Sequence, residues 1–158
     1  MLNQSVIQTR TAIIATMTET IKSRFGEIEV DTARAVLFPR GILGMPDKFN
    51  FVLTAFPNAK MQQFTLLQSL DEHSLSFITL PLDINNAIIS ADDIKSACRD
   101  LQFDEKFVAP LLIVSVHRLL DGVKLSVNAR APILIDANKK VGVQYVFQNE
   151  QYKVQHML

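Results

Sequence analysis

The residues of this chain most able to perform chemistry are three histidines, one pair of adjacent carboxylates and a single cysteine. His73, His117 and His156 stand far apart in the sequence, and none of them has the spacing of a metal-ligand motif. Asp71 and Glu72 are adjacent in a polar turn, where solvation is the ordinary role of a carboxylate. The chain has no glycine-rich phosphate loop after a strand and no G-x-S-x-G nucleophile elbow. The sequence therefore predicts a protein that is not an enzyme and that has no catalytic residues, no metal site and no cofactor.

The composition favours a single packed domain. The chain has 158 residues, of which 48% are hydrophobic, so it can bury a sizeable core. Basic and acidic residues number 16 each, which argues against a broad surface for direct contact with nucleic acid. Cys98 is the only cysteine, so an internal disulfide is excluded and a reducing compartment is indicated. No apolar run approaches the ~20 residues needed to span a bilayer, so no membrane is expected as a partner.

The N-terminal segment differs from the rest of the chain. In "NQSVIQTRTAIIATM" a basic residue precedes an apolar patch, as in a signal peptide. The patch is short and rich in threonine, and no A-x-A-like cleavage site follows it. We interpret residues 1–20 as an N-terminal appendage and residues 21–158 as a single domain.

Beyond residue 20 the chain is predicted to form a series of short strands. Alternation of apolar and polar residues marks "IKSRFGEIEVD", "FNFVLTAF", "FTLLQSL" and "LSFITLPL" as strands bounded by turn residues. The unbroken apolar stretch in "FVAPLLIVSVHRLL" is typical of a strand buried on both faces, and Asp121–Gly122 after it is a strong hairpin signal. Strands at this spacing predict a mainly β fold, as a sandwich or a barrel.

One short helix is predicted near residues 91–101. Ser90 and Asp93 stand at capping-box spacing, with aspartate in the place usually held by glutamate. Behind them Ile94, Ala97, Cys98 and Leu101 form one apolar stripe at i, i+3, i+4 and i+7. Because Cys98 lies on this stripe, it is predicted to be a buried structural thiol rather than a nucleophile.

A proline interrupts the most regular strand pattern of the chain. From Leu125 to Ile135 the odd-numbered residues are apolar, and Leu134 is the exception among the residues between them. A second run, "VGVQYVF", follows the turn "ANKK", so the two runs are predicted to form a hairpin. Pro132 falls on the polar face and lacks a ladder N–H, which confines it to an edge or a bulge. It marks either a bulge that bends a barrel strand or an interrupted edge that holds a partner.

Six segments of the sequence resemble the family of flagellar assembly factors called FliW. They are "FGEIEV", "FPRGILGM", "LLQSLDEHSLSFITLPL", "NARAPILID", "VGVQYVF" and "YKVQHML", in the family's order and with similar gaps. The resemblance covers the chain from about Ile21 to Leu158. The chain departs from the family pattern at Met45, Leu66, Ala129 and Asp136, which stand where phenylalanine, tryptophan, leucine and asparagine are common.

The resemblance implies a fold and a function. The fold is a mainly β, antiparallel barrel-like sheet with one principal short α-helix. Members of the family are cytoplasmic proteins that bind flagellin and the translational regulator CsrA. Flagellin and CsrA compete, so that factor released from flagellin sequesters CsrA and relieves repression of flagellin synthesis, by mass action on one limiting protein. The departures from the pattern affect partner choice more than the fold, since most of them keep an apolar residue apolar.

The partner surface is predicted to combine three segments. The loop with Phe38, Gly41 and Gly44 is a shaped apolar loop of the kind that binds partners from a rigid β scaffold. Asn128, Arg130 and Pro132 offer a polar strand face and a gap in the ladder, and Tyr152 and His156 offer rings with polar tips.

Other interpretations of the same residues stay open. The loop can be plain turn geometry, Asn128 and Arg130 can solvate an exterior face, and Tyr152 can pin the tail to the barrel. The alternative function is a small β-barrel enzyme or ligand-binding protein whose site lies in the barrel mouth.

Overall fold

The computed structural model describes residues 17–83 and 85–158. The predicted appendage lies largely outside these residues, and strand β1 (Thr18–Ser23) includes its last three. β1 pairs with β2 (Gly26–Asp31) across the turn formed by Arg24 and Phe25, so the stretch predicted as one strand is a hairpin. Gly26 has a φ of +99° and permits this turn, because glycine adopts positive φ without steric cost.

The other strands form one sheet, in the order β11-β8-β7-β6-β5-β4-β3-β10-β9. Every pairing is antiparallel except that of β3 with β10. The predicted mainly β, antiparallel barrel-like fold with one principal helix is confirmed. The strands are β3 (Val36–Leu37), β4 (Asn50–Ala55), β5 (Thr65–Ser69), β6 (Ser76–Pro81), β7 (Val108–Leu119), β8 (Gly122–Val127), β9 (Ile133–Asp136), β10 (Val141–Gln144) and β11 (His156–Met157).

The long strand β7 bends this sheet into a barrel. Its first residues pair with β9, where Val108 lies opposite Asp136, and Leu111 pairs with β6 as well. The ring then runs from β6 through β5, β4, β3 and β10 back to β9. β3 and β10 meet through a single parallel pair, Leu37 and Val141, so the barrel is not strictly closed.

Helix α1 (Ala91–Leu101) has the bounds that the sequence predicts. The Ser90 side chain accepts a hydrogen bond from the Asp93 amide at 3.2 Å, and Gln102 ends the helix with a φ of 58°. Cys98 is buried on the inner face of the helix. Burial raises the pKa of its thiol, as do the negative charges of Glu105 and Asp136. A buried thiol with a raised pKa is a weak nucleophile. This agrees with the prediction, made from the apolar stripe of the helix, that Cys98 is a structural thiol.

Alternate residues of the barrel strands face two different cores. Leu111, Ile133 and Ile135 belong to a cluster with Phe38 and Phe51. Their neighbours Leu112 and Leu134 belong to a second cluster, which includes Ala97 of the helix and Tyr152 of the C-terminal tail. Because β9 is covered on both faces, Leu134 is apolar although it breaks the alternation of the strand.

The N-terminal hairpin covers a third side of the barrel. Ile21, Ile28 and Val30 are buried against Val52 of β4 and Leu66 of β5. Leu66 is one of the positions at which the chain departs from the family pattern, and it is fully buried beneath the hairpin. No helix among the described residues is long and apolar enough to cross a membrane.

Candidate functional site

Strands β8 and β9 lie along the same edge of β7 and are separated by a bulge. Val127 of β8 pairs with Val114, and Ile133 of β9 pairs with Leu111. Two residues of β7, 112 and 113, therefore lie opposite five residues, 128–132. A bulge of this kind bends the strand and increases its twist, so β8 and β9 diverge on either side of it.

The side chain of Asn128 holds the bulge. The backbone N–H of Asn128 donates to the Ile113 carbonyl at 3.0 Å, as in a regular ladder. Its Oδ1 then accepts hydrogen bonds from the amides of Arg130 and Ala131, at 3.1 and 3.0 Å. An asparagine that bonds its own backbone two or three residues ahead forms a turn, and this turn ends the regular pairing of β8.

The C-terminal tail and the residues after β10 complete the hydrogen bonds of the bulge. The Lys153 carbonyl accepts from the amides of Ala129 and Arg130, at 3.0 and 3.2 Å. The Phe147 amide donates to the Arg130 carbonyl at 2.8 Å, and the Tyr145 amide donates to the Pro132 carbonyl at 2.9 Å. These bonds join three separate stretches of the chain at one place.

Pro132 is the last residue of the bulge. It is buried, although the strand parity predicted it on the polar face. The prediction of the face was wrong because the bulge shifts the parity between Val127 and Ile133. A proline fits here because the regular pairing resumes only at Ile133, so no ladder N–H is missing.

Gln144, at the end of β10, links the bulge to the loop after β3. Its Nε2 donates to the Ala131 carbonyl at 3.1 Å, and its Oε1 accepts from the Leu43 amide at 2.9 Å. The loop and the bulge, which lie about ninety residues apart in the sequence, are therefore neighbours in the fold.

The loop after β3 has a buried base and an exposed tip. Phe38 is buried at its base, where its ring packs edge-to-face on Phe51. Gly41 has a φ of +65°, and an added Cβ would lie 2.5 Å from the Met45 carbonyl oxygen. Gly44 also has positive φ, but its Cβ position is open. Leu43 stands between them with 63% of its surface exposed.

The tail is fixed to helix α1 by Tyr152. The Tyr152 hydroxyl accepts a hydrogen bond from the Ser90 amide at 3.1 Å and donates to the Asp93 carboxylate. The hydrogen bond from the Tyr152 hydroxyl, followed by one between the Ser90 side chain and Asp93, lowers the pKa of the Asp93 carboxyl. His156 lies further along, half-buried in β11, where it pairs with Val127.

The junction presents a surface that we call the bulge surface and define as Leu43, Arg130, Val146 and Val154. Leu43, Val146 and Val154 are exposed apolar residues. Arg130 is half-buried where hydrogen bonds join the segments that contain them. Within residues 17–83 and 85–158, no carboxylate lies at ion-pair distance from Arg130. An arginine near exposed apolar side chains is a combination that protein–protein interfaces favour.

A separate cleft lies between the N-terminal hairpin and the barrel. Its volume is about 780 Å³. The apolar part of its lining includes Val30, Leu53 and Ile135, and the charged part includes Arg34 and Lys140. The Lys140 ammonium already donates to the Ala33 carbonyl at 2.8 Å. No cluster of potential metal ligands occurs in the described parts of the chain.

Comparisons with known proteins identify the family. The sequence model of the family described as "FliW protein" matches residues 19–158. The chain belongs to the FliW family. It is 32% identical over 135 residues to a flagellar assembly factor FliW of Clostridium botulinum, with 84% of this chain and 91% of that protein covered. A flagellar assembly factor FliW of Geotalea uraniireducens is 29% identical over 140 residues, with 85% and 80% covered.

A solved structure agrees with the fold. The crystal structure of a flagellar assembly factor FliW superposes with a TM-score of 0.64 at 28% sequence identity. It covers 89% of this chain and 95% of that one. The likeness therefore extends over most of the chain rather than over one motif.

Four of the FliW-like segments converge at the bulge. "NARAPILID" forms it, "VGVQYVF" supplies Gln144, "FPRGILGM" forms the loop, and "YKVQHML" supplies the tail carbonyl. Of the residues predicted to bind a partner, Phe38, Gly41, Pro132 and Tyr152 are buried, and Asn128, Arg130 and His156 are half-buried. Gly44 is exposed. The four buried residues lie beneath the surface, and the assignment of all eight residues to partner binding stays a prediction.

Sequence reasoning missed Gln144, Leu43, Val146 and Val154. A signal for Gln144 was present, because "VGVQYVF" matches a glutamine-containing segment of the family. The exposed valines had no signal, since single apolar residues near turns are common on protein surfaces. Only the pairing of the bulge with two distant segments brings them together.

Proposed function

We propose that this chain is a cytoplasmic flagellar assembly factor that binds flagellin and, when free of flagellin, binds and sequesters the translational regulator CsrA. The partners are proteins, and direct contact with nucleic acid is not part of the proposal. The observation that supports it best is the convergence of four FliW-like segments at the bulge, in a chain that the FliW family model matches from residue 19 to residue 158.

The bulge surface is the part of the molecule that we assign to partner binding. Hydrogen bonds from Asn128 and Gln144 to the backbone of the bulge and the loop hold this surface in place and make the bulge rigid in our proposal. A rigid scaffold reduces the entropy lost on binding. Leu43, Val146 and Val154 supply apolar area, and Arg130 supplies charge-assisted hydrogen bonds to a carboxylate or a backbone carbonyl.

Competition between the two partners would make the factor a sensor of free flagellin. If both complexes draw on one limiting pool of the factor, an increase of free flagellin releases CsrA by mass action. This scheme needs no conformational change in the factor. It requires only that the two partners cannot be bound at the same time.

The test is a binding assay for each purified partner with variants of the bulge surface. Arg130→Ala and Val146→Asp should each weaken binding of flagellin or CsrA by about tenfold or more, because central interface residues dominate the binding energy. Lys60→Ala is the matched control, since Lys60 is an exposed cation on another loop. If both variants fold normally and bind flagellin and CsrA like the parent, the surface is assigned wrongly.

A second candidate function rests on the cleft between the hairpin and the barrel. Its apolar lining and volume of about 780 Å³ match the size of small-molecule sites. Asp71, Asp93, Cys98 and Tyr145, whose pKa values are displaced, lie outside this lining. Native mass spectrometry of the purified chain would show a bound small molecule, and Thr54→Trp, which fills the cleft, should abolish it.

A further inference from the structure

β6 and β7 separate beyond Ile113, and within residues 17–83 and 85–158 one edge of β7 has no partner strand from there on. β6 pairs with β7 only from Thr79 to Pro81, opposite residues 111–113. β7 continues to Leu119 and is paired there with β8 on its other edge. In the described chain, no strand pairs with the β6-side edge of residues 114–119, which we call the open edge.

The hydrogen-bonding groups on the open edge can be assigned from the ladder. The Asn128 amide donates to the Ile113 carbonyl, so Ile113 and every second residue after it bond toward β8. The intervening residues, Val116 and Arg118, therefore direct their N–H and C=O groups away from β8, to the open edge. Unpaired backbone groups in a row are a template for another strand.

The open edge adjoins an exposed apolar face. Val116, Leu125 and Leu158 lie side by side on β7, β8 and the end of the tail, and Val123 lies next to them on β8. Val116 is 46% exposed, Leu158 55% and Val123 61%. On the same face Val114 and Val127 are buried, so the core continues outward as an apolar stripe that none of the described residues covers.

Among the described residues, one edge of the β7–β8 hairpin is paired and the other is unpaired. The last residues of the chain form β11 and pair with β8, where His156 lies opposite Val127. Protected edges usually have a proline, a bulge or several charges. Residues 114–119 have no proline, and Arg118 is their only charged side chain apart from His117. The β7–β8 hairpin has two cationic side chains, Arg118 and Lys124, and a single carboxylate, Asp121. Its net positive charge favours an acidic partner.

We propose that the open edge of β7 receives an extended segment of a partner protein as an additional β-strand. The segment has apolar residues at alternate positions, which cover Val116 and Val123, and a carboxylate that pairs with Arg118. A strand is the occupant because only an extended backbone satisfies the groups of Val116 and Arg118 together. This surface lies beyond the bulge surface and does not depend on the function proposed above.

The direct test is hydrogen exchange with a synthetic peptide in which valine alternates with threonine and glutamate. In the free protein the amides of Val116 and Arg118 should exchange rapidly, and those of Ser115 and His117 slowly, because only the latter bond to β8. Saturation with the peptide should slow exchange at Val116 and Arg118. Unchanged exchange at both amides in the presence of saturating peptide overturns the proposal.

Variants test the same edge by affinity. Val116→Pro removes an N–H that does not bond to β8, so the fold should remain intact. Loss of the hydrogen bond from this N–H to the peptide should weaken peptide binding by about tenfold. Arg118→Glu should weaken binding of the acidic peptide, while Lys124→Glu, the same charge change on β8, should have a smaller effect. Equal affinities for the parent, Val116→Pro and Arg118→Glu overturn the proposal.

Sedimentation separates a partner segment from a second copy of the chain. If the open edge pairs with itself, the parent forms a dimer at micromolar concentration and Val116→Pro does not. That outcome assigns the edge to self-association and overturns the proposal of a partner strand. A monomeric parent that binds the peptide through Val116 and Arg118 supports it.

Discussion

The two halves of β7 have opposite environments although they form one continuous strand. The enclosed half, residues 108–113, pairs with β9 on one edge and with β6 on the other, and Leu111 and Leu112 are buried on opposite faces. The projecting half, residues 114–119, pairs on one edge only within the part of the chain that the structure describes, and it exposes Val116 and Leu119. The bulge at 128–132 lies opposite the boundary between them. One apolar run thus builds a core at one end and presents a surface at the other.

The largest difference that we expect between the halves is in stability. Leu111→Ala should lower the free energy of unfolding by about 2–5 kcal/mol, because it leaves a cavity among Phe38, Phe51 and Ile133. Val116→Ala should change it by less than about 0.5 kcal/mol, because Val116 is half exposed. Chemical denaturation of both variants measures the contrast. Equal losses would mean that the projecting half packs against something that covers it.

A second contrast in stability is expected between two glycines of the loop after β3, whose Phe38 packs in the same core as Leu111. Gly44→Val should cost about 1–2 kcal/mol, the price of positive φ in a residue with a side chain. Gly41→Val should cost more, because its Cβ also meets the Met45 carbonyl oxygen at 2.5 Å and the Pro46 Cα at 2.7 Å. Thermal unfolding of the two variants gives the order. If Gly44→Val folds well yet loses partner binding, the loop tip contacts the partner.

Local sequence signals predicted the elements that depend on near neighbours. Ser90 and the apolar stripe that follows it predicted where helix α1 begins and ends. Asp121–Gly122 predicted the turn between β7 and β8. The turn at Arg24 and Phe25 was missed, because Gly26 fits an alternating strand as well as a turn.

The candidate site was harder to predict because its contacts are not local. The parity that placed Pro132 on the polar face assumed a regular strand, and three extra residues in the bulge remove that assumption. Leu134 breaks the alternation because it packs in the core that includes Ala97 and Tyr152, which are distant from it in the sequence. The bulge surface depends on backbone hydrogen bonds between distant segments, which the pattern of side chains in the sequence does not predict.

The bulge itself should show an intermediate effect. Asn128→Ala leaves the Ala131 amide without its acceptor and should cost about 1–3 kcal/mol, while Asn128→Asp keeps the acceptor and should cost less. In the projecting half, His117→Ala removes a 2.7 Å hydrogen bond to Ser126 and should cost less than about 1 kcal/mol, because water replaces it at this partly exposed position. Denaturant unfolding of the three variants orders them. A loss for His117→Ala as large as that for Asn128→Ala would contradict the assignment of rigidity to the bulge.

The smallest effect concerns acid stability where the tail meets the helix. The hydrogen bond from Tyr152, with that from Ser90, lowers the pKa of Asp93 below its ordinary value of 3.8. Because the folded-state pKa is the lower one, the stability from this bond is present above the unfolded-state pKa and is lost as pH falls through the folded-state pKa. Tyr152→Phe should therefore lower stability at neutral pH, and its difference from the parent should shrink as the pH falls through the folded-state pKa of Asp93.

Asp93→Asn provides the control that isolates this bond. In that background Tyr152→Phe should change stability by the same amount at every pH, because no carboxylate remains to titrate against the hydroxyl. Urea unfolding of the four proteins across the acid range measures the coupling between the two residues. A pH-independent difference between Tyr152→Phe and the parent would show that the tail is fixed by packing of the Tyr152 ring on Phe147 rather than by its bond to Asp93. The only carboxylate in the β7–β8 hairpin is Asp121. Variants in the projecting half should therefore show no pH-dependent coupling of this kind to Tyr152.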